Sequence, residues 1–266
     1  MRTGFIGGGK MGEAMVAALI RAGAVRAGEI AASDVSAERR DALRRRHGIA
    51  VYGESLPVVQ GARVVVLAVK PQDLEAVLRG IAPSVSRRHL VISIAAGKRT
   101  KWIESMLPGA RVIRVMPNLA CTVGEGMSAY CCGRRSTAAD GRLAARLLSC
   151  FGRVVRLPEK LFDAVTALSG SGPAFFAYVM DRMAVAAAGE GLSRKDALLL
   201  AEQTMLGTAR VLLESGTDPQ DLIKAVASPK GTTAAGLAVL DGSPIADVLA
   251  RTIHAAARRS RELSQG

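Results

Sequence analysis

Between Val226 and Asp241 the chain reads V-A-S-P-K-G-T-T-A-A-G-L-A-V-L-D. A helix closing near Ala227 meets a Pro-Lys-Gly turn, and Thr232 and Thr233 open the next helix. The first N–H groups of a helix have no partner within it. Gly231, Thr232 and Thr233 therefore offer backbone donors where the side chains of Ser228, Thr232 and Thr233 also gather three hydroxyls. A small anion suits such an end, and a plain helix cap would use the same residue types.

A second group of residues lies near the N-terminus. Gly7-Gly-Gly-Lys-Met-Gly12 has GxGxxG spacing, with the apolar run Thr3–Ile6 before it and an Ala-rich stretch carrying Met15, Val16, Leu19 and Ile20 at helical intervals after it. This is a dinucleotide-binding turn: Gly7 permits the tight bend, Gly9 lets backbone approach a pyrophosphate, and Gly12 lets the helix pack on its strand. Lys10 and Met11 fall inside the same loop. About twenty residues on, Ser33 and Asp34 end a second strand, where a carboxylate can accept from the adenosine ribose. Taken alone Asp34 favours NAD, whereas Ser33, Ser36, Arg39 and Arg40 could house the 2′-phosphate of NADP. Asp34 and Ser36 could equally cap the helix that follows.

These groups need a scaffold that brings strand ends together. Strand signals over Glu29–Ser33, Arg63–Ala68, His89–Ile94 and Arg111–Val115 alternate with helix signals over Ser36–His47 and Gln72–Ile81. Met127–Cys132, Thr137–Cys150 and Arg153–Leu157 add a weaker strand, helix and strand. The order predicts an α/β, Rossmann-like, doubly wound domain over residues 1–158, whose ligands lie beyond the carboxyl ends of the strands. There the chain carries Ala68, Val69, Lys70 and Pro71, then Ala95 and Gly97, then Asn118. Pro71 suits a first helical position, and Lys70 either faces the ligand or is an ordinary loop lysine. The small residues Ala95–Gly97 leave room for a nicotinamide, and Asn118 either bridges cofactor and substrate or holds its turn. After Pro158 the pattern is helical only, interrupted by Ser169-Gly-Ser-Gly-Pro173, and residues 159–266 are predicted to form an all-α domain. Its helices are too apolar to cover themselves, so two copies are expected to interlock as a dimer.

Composition narrows the reading. The chain has 266 residues, 49% of them hydrophobic, and a formal net charge of +13. Its basic residues are dispersed over helix faces and loops, and with 3% aromatic residues no stacking platform accompanies them, so no nucleic acid partner is expected. No apolar run has the ~18 residues of a membrane helix, so no membrane association is expected. Cys121, Cys131, Cys132 and Cys150 lack the pairing of a zinc or redox motif. A cytoplasmic protein with no bound metal is expected.

The runs Phe5–Gly12, Ala68–Gln72, Val91–Gly97, Arg114–Asn118, Ala167–Ala174 and Val226–Asp241 together resemble pyrroline-5-carboxylate reductase over nearly the whole chain. The resemblance implies reduction of the cyclic imine 1-pyrroline-5-carboxylate to L-proline by NADPH, with NADH possible, at the last step of proline biosynthesis. It implies a homodimer with intertwined helical domains, and larger rings of dimers. It matches Gly7–Gly12 to the phosphate loop, Ser33 and Asp34 to the ribose corner, Ser55 to a cofactor-binding position that is often asparagine, and Val69–Gln72 and Ala95–Gly97 to the nicotinamide side. Ser228–Thr233 match the substrate loop, with Thr233 near the imine nitrogen and Ser171 expected beside the substrate. Two positions depart from the pattern: Lys230 stands where glycine is usual, and Leu119-Ala-Cys121 follows Met-Pro-Asn.

The chemistry needs no strong base. Hydride adds most easily to a protonated imine, so the site must orient an iminium. A hydroxyl from Thr233 serves as hydrogen-bond partner or proton relay, and the substrate carboxylate would sit on the N–H groups of Gly231–Thr233. His47, His89 and His254 occupy a helix end, a basic turn and the terminal helix. A β-hydroxyacid or 6-phosphogluconate type dehydrogenase shares the domain order but would want a catalytic lysine in the helical domain; Lys195 and Lys224 are available, but neither sits in a glycine-rich, polar helix interruption. A non-catalytic dinucleotide sensor is the other alternative.

Overall fold

The computed structural model describes residues 2–265. Eight strands, β1 (Thr3–Ile6), β2 (Ile30–Ser33), β3 (Ala50–Tyr52), β4 (Val64–Leu67), β5 (Leu90–Ser93), β6 (Arg111–Met116), β7 (Gly126–Cys132) and β8 (Gly152–Arg156), form one sheet in the order β3-β2-β1-β4-β5-β6-β7-β8. The first six are parallel, as expected for strands joined by helical crossovers. β7 runs antiparallel to β6 because the link between them, Pro117–Glu125, holds only a 3₁₀ turn and is too short to cross back over the sheet. β8 then pairs parallel with β7.

Helices α1 (Lys10–Arg21), α2 (Ala37–His47), α3 (Leu56–Gly61), α4 (Leu74–Ile81), α5 (Thr100–Met106) and α6 (Ala138–Leu148) flank the sheet. Alternation along the strands sorts the core into two layers. Phe5, Val64, Ile92 and Ile113 meet Val16 and Leu19 of α1 and Leu147 of α6 on one face. Ile6, Val65, Leu67 and Val112 meet Val59 of α3, Leu74 and Leu78 of α4 and Ile103 of α5 on the other. Charged α2 commits a single buried residue, Leu43.

Three elements have no counterpart in the sequence reading: β3, α3 and α5. The predicted helix from Gln72 begins instead at Leu74, and Pro71 lies in the preceding turn, where Lys70 accepts from the Asp73 N–H at 3.0 Å. The 3₁₀-type turn through Pro71–Asp73 explains the delay: proline's fixed φ suits a turn as well as a first helical turn.

Beyond β8, α7 (Phe162–Val165) continues into a π turn over Thr166–Gly170. Then follow α8 (Gly172–Gly189), α9 (Arg194–Ser215), α10 (Pro219–Val226), α11 (Thr232–Asp241) and α12 (Ile245–Gln265). Ser193 and Asp218 cap α9 and α10 by accepting from Asp196 and Gln220 N–H groups. The chain divides into two compact units. One comprises the residues up to Ser171 together with those from Ala256 onward, and the other runs over Gly172–Ala255. In the second unit α8 lies on α9, yet among the described residues of α8 to α11 only Gly172, Ala184 and Ala197 are buried. No single described helix is long and apolar enough to cross a membrane.

Candidate functional site

The loop between β1 and α1 is shaped by its glycines. Gly7 has φ +102°, and a Cβ there would lie 2.5 Å from the Ala68 carbonyl oxygen, so a left-handed bend and a close approach to β4 coincide at one residue. A Cβ at Gly12 would strike the Gly7 carbonyl, so α1 can pack this closely only through glycine. Nothing lies within 4 Å of the corresponding point at Gly9, the N-cap residue of α1, which has no side-chain cap. Open space in front of an uncapped twelve-residue helix is the cradle a pyrophosphate requires, and Lys10 and Met11 form the first turn behind it. The residues present fit a dinucleotide.

Asp34 is engaged twice, accepting from the Gly8 N–H at 2.7 Å and the Ser36 N–H at 2.9 Å. It thus ties the phosphate loop to the end of β2. Ser36 caps α2 by accepting from the Arg39 N–H, and the Ser33 and Ser55 hydroxyls lie 3.2 Å apart. Arg40 donates to the carbonyls of Asp34 and Val35 at 2.9 and 3.0 Å, and Arg39 pairs with Glu13 at 3.3 Å. Burial pushes the Glu13 carboxyl up, but hydrogen bonds from Arg46 and His47 outweigh it and hold it below the usual range. Basic side chains therefore collect at this corner with their geometry already fixed.

At the next strand ends, Val69 is half-buried against the core and Lys70 is exposed. Ala95 is buried with its N–H 3.4 Å from Ser93 Oγ, and Gly97 has φ +76°. Asn118 uses both ends of its amide. Its Oδ1 accepts from the Met127 N–H at 3.2 Å and its Nδ2 donates to Ser169 Oγ at 3.4 Å. It therefore joins the loop after β6 to the π turn, where a Cβ on Gly170 would strike the end of Met116. Ser171 closes that turn, donating its N–H to the Thr166 carbonyl at 2.8 Å; π turns of this kind concentrate at functional sites. Sequence reasoning singled out Asn118 and Ser171 but missed Ser169, which lay in plain view in the same Ser-Gly-Ser-Gly run.

Arg114 was also missed as more than a strand residue. It is buried, pairs with Glu159 at 3.1 Å and lies over the Phe162 ring at 4.7 Å. Glu159 in turn accepts from Thr100 N–H and Oγ1, both at 2.8 Å. A basic residue inside a run of valines and isoleucines is the signal that could have found it.

In the second unit, Gly231 donates its N–H to the Ser228 carbonyl at 3.0 Å, closing a turn with Pro229 and Lys230 at its corners. Lys230 has φ +61°, and among the described residues no other non-glycine residue has positive φ. Proline followed by positive φ is the type II pattern, which asks for glycine at the second corner. Gly231 caps α11 without a side chain, and a Cβ there would strike Ser228 Oγ. The N–H groups of Thr232 and Thr233 are thereby left facing outward from a ten-residue helix. The lysines a hydroxyacid dehydrogenase would need are on helix surfaces: Lys195 is exposed on α9, and Lys224 pairs with Asp221 on α10.

His89 is fully buried, accepting from the Ser86 N–H at 2.9 Å through Nδ1 and lying 3.2 Å from the Val59 carbonyl through Nε2. Burial pushes its pKa down, and it is a neutral structural group. All four cysteines are free. Burial raises their thiols, Cys131 to about 12, so none is an activated nucleophile.

Two family models match the chain. Residues 159–263 match the pyrroline-5-carboxylate reductase dimerisation family, and residues 2–97 match the NADP oxidoreductase, coenzyme F420-dependent family. A pyrroline-5-carboxylate reductase of Methanosarcina acetivorans is 42% identical over 265 residues, covering 99% of this chain and 98% of the relative. One from Glycine max is 37% identical, covering 98% and 95%. Among solved structures, the pyrroline-5-carboxylate reductase of Coxiella burnetii superposes with a TM-score of 0.94 at 32% identity, covering 99% and 98% of the two chains. The Plasmodium falciparum pyrroline carboxylate reductase with NADP bound gives 0.87 at 27% identity, with the same coverage. Two polar interruptions in an apolar helical region, a glycine cradle with open space before α1 and full-length likeness at this level lead to one assignment: the chain belongs to the pyrroline-5-carboxylate reductase family.

Proposed function

We propose that Thr233 is the catalytic residue of this reductase and that Ser228, Gly231, Thr232, Asn118 and Ser171 bind its substrate. The enzyme transfers hydride from NADPH to 1-pyrroline-5-carboxylate and, with one proton, yields L-proline. It is thereby an oxidoreductase of the CH–NH group, and its place at the end of proline biosynthesis follows from that reaction. The observation that carries the site assignment is the start of α11, where glycine supplies the cap position and leaves backbone donors beside three hydroxyls.

When bound, NADPH supplies the hydride. The chain's own groups do the rest. The N–H groups of Thr232 and Thr233 offer a positive helix end to the substrate carboxylate. The Thr233 hydroxyl donates to, or relays a proton toward, the ring nitrogen, which favours the iminium that accepts hydride. Asn118 holds the loop after β6 against Ser169, which supports a positioning role at the reacting ring. The open point at Gly9, together with Gly7, Lys10, Met11 and Gly12, supports pyrophosphate binding. Ser33, Asp34 and Ser55 support contact with the ribose, and Ser36, Arg39 and Arg40 support the 2′-phosphate. Ala68, Val69, Lys70, Pro71, Ala95 and Gly97 are assigned to the nicotinamide side.

The uncovered apolar helices of residues 159–266 support a homodimer, and rings of such dimers are the larger assembly we assign. Cytoplasmic residence is assigned on the four free thiols. The reading is tested by following loss of NADPH, and of NADH, with pyrroline-5-carboxylate and with hydroxyacid and ketoacid controls. Oxidation with the imine alone supports it. Turnover of a hydroxyacid, or cofactor binding without imine-dependent oxidation, overturns it.

A further inference from the structure

A cavity of about 350 Å³ opens between α5 and the last turns of α12, lined by Gly97, Lys98, Arg99, Lys101, Trp102 and Ser264. All of these residues belong to the first compact unit. Among the described residues the lining holds three cations and no carboxylate. Among the described residues, none of the three cations forms an ion pair, whereas arginines elsewhere on the same unit pair closely, as Arg79 does with Glu75 at 2.7 Å. Two acids of the same unit are paired with other arginines, and a third accepts from a backbone N–H. Glu159 takes Thr100 and Arg114, Glu104 accepts from the Arg135 N–H, and Glu262 pairs with Arg259 at 2.8 Å.

Lys98 Nζ lies 4.9 Å from the centre of the Trp102 ring. That contact fixes one ammonium in the cavity by cation–π attraction, so its charge is held there without an acid. Three like charges sharing one concave surface repel each other, and a bound anion relieves that repulsion. We infer that this cavity is a binding site for a small multivalent oxyanion, of the phosphate or polycarboxylate class, sharing no residue with the pyrophosphate cradle at Gly7–Gly12 and meeting the residues assigned to the nicotinamide side only at Gly97. Its geometry stands independently of the substrate assigned above.

Trp102 is the only tryptophan of the chain, so its fluorescence reports the cavity directly. The full-length protein is titrated at constant ionic strength with inorganic phosphate, with citrate, and with chloride as the control, because simple screening would act equally through any salt. A saturable change in Trp102 emission is expected with phosphate, citrate or both, and which of them saturates identifies the source of the oxyanion. In K98Q/K101Q the half-saturation concentration is expected to rise by about tenfold or more. The response is expected to persist with NADP⁺ at saturation. A response matched by chloride, an unchanged midpoint in the double variant, or abolition by NADP⁺ would each overturn the proposal. Circular dichroism of the variant establishes that it is folded, and K98R/K101R, which keeps both charges, should restore binding.

Discussion

Three single residues carry separable tests. Thr233→Ala should lower kcat by on the order of tenfold to a thousandfold, the range of a lost proton or hydrogen-bond donor at a reacting nitrogen. Steady-state kinetics with an unchanged kcat would remove Thr233 from the mechanism. Gly9 faces open space, so Gly9→Val should fold normally and raise the NADPH dissociation constant by about tenfold or more, since its methyls enter the pyrophosphate cradle. Calorimetric titration checks this, and retained affinity would move the phosphate elsewhere. Lys230 holds a left-handed backbone that costs a non-glycine residue roughly 1 kcal/mol. Lys230→Gly is expected to raise stability by up to about that amount, less the added freedom of the unfolded chain. Urea unfolding with a lower midpoint than the parent would show that the turn carries no such strain. The departure from glycine at this position was visible in the sequence; its φ was not, because side-chain type alone does not report which corner of a turn a residue takes.

Elements were legible to the extent that their own residues determine them. Thr3–Ile6 followed by three spaced glycines, Ser36 before α2, and Pro-Lys-Gly-Thr-Thr before α11 all signal locally. β3 is three residues long and exists because Ala31 and Ser33 pair with Ala50 and Tyr52, a partner no local pattern reveals. α3 and α5 are short helices buried on the sheet through Val58, Val59 and Ile103, and tertiary contact decides them. The π turn at Thr166–Gly170 reads as a helix with misplaced glycines until its extra residue is seen. His89 illustrates the same dependence on packing, because its ring joins the start of β5 to the end of α3 through the Val59 carbonyl. Its folded pKa is depressed, so the unfolded chain binds more protons as pH falls through ~6.5. Stability should be full above that pH and decline below it. Denaturant midpoints between pH 7.5 and 5 should fall in the parent and fall less in His89→Gln. Parallel slopes would assign the loss to other groups.

For the whole molecule, the imbalance between the two units governs behaviour. The first has two buried layers, whereas the second leaves Phe176, Tyr178 and Met183 of α8 exposed by 55%, 67% and 60%. Contiguous apolar surface of this kind is rare on monomers and marks an interaction face. Light scattering should find dimers or multiples of dimers, and Met183→Asp should shift mass toward monomer with loss of activity; an active, well-folded monomeric parent would refute the assembly. α12 has a further consequence for biogenesis. Its first turns belong to one unit and its last to the other, with the Leu263 carbonyl seated over Gly97 and Ser260 donating to Asp163 at 2.7 Å. The sheet can form while the nascent chain is still being extended, but the unit it anchors is completed only once residues 256–265 have left the ribosome. The last packing step of the dinucleotide half, though not its sheet, thus waits on translation of everything that lies between.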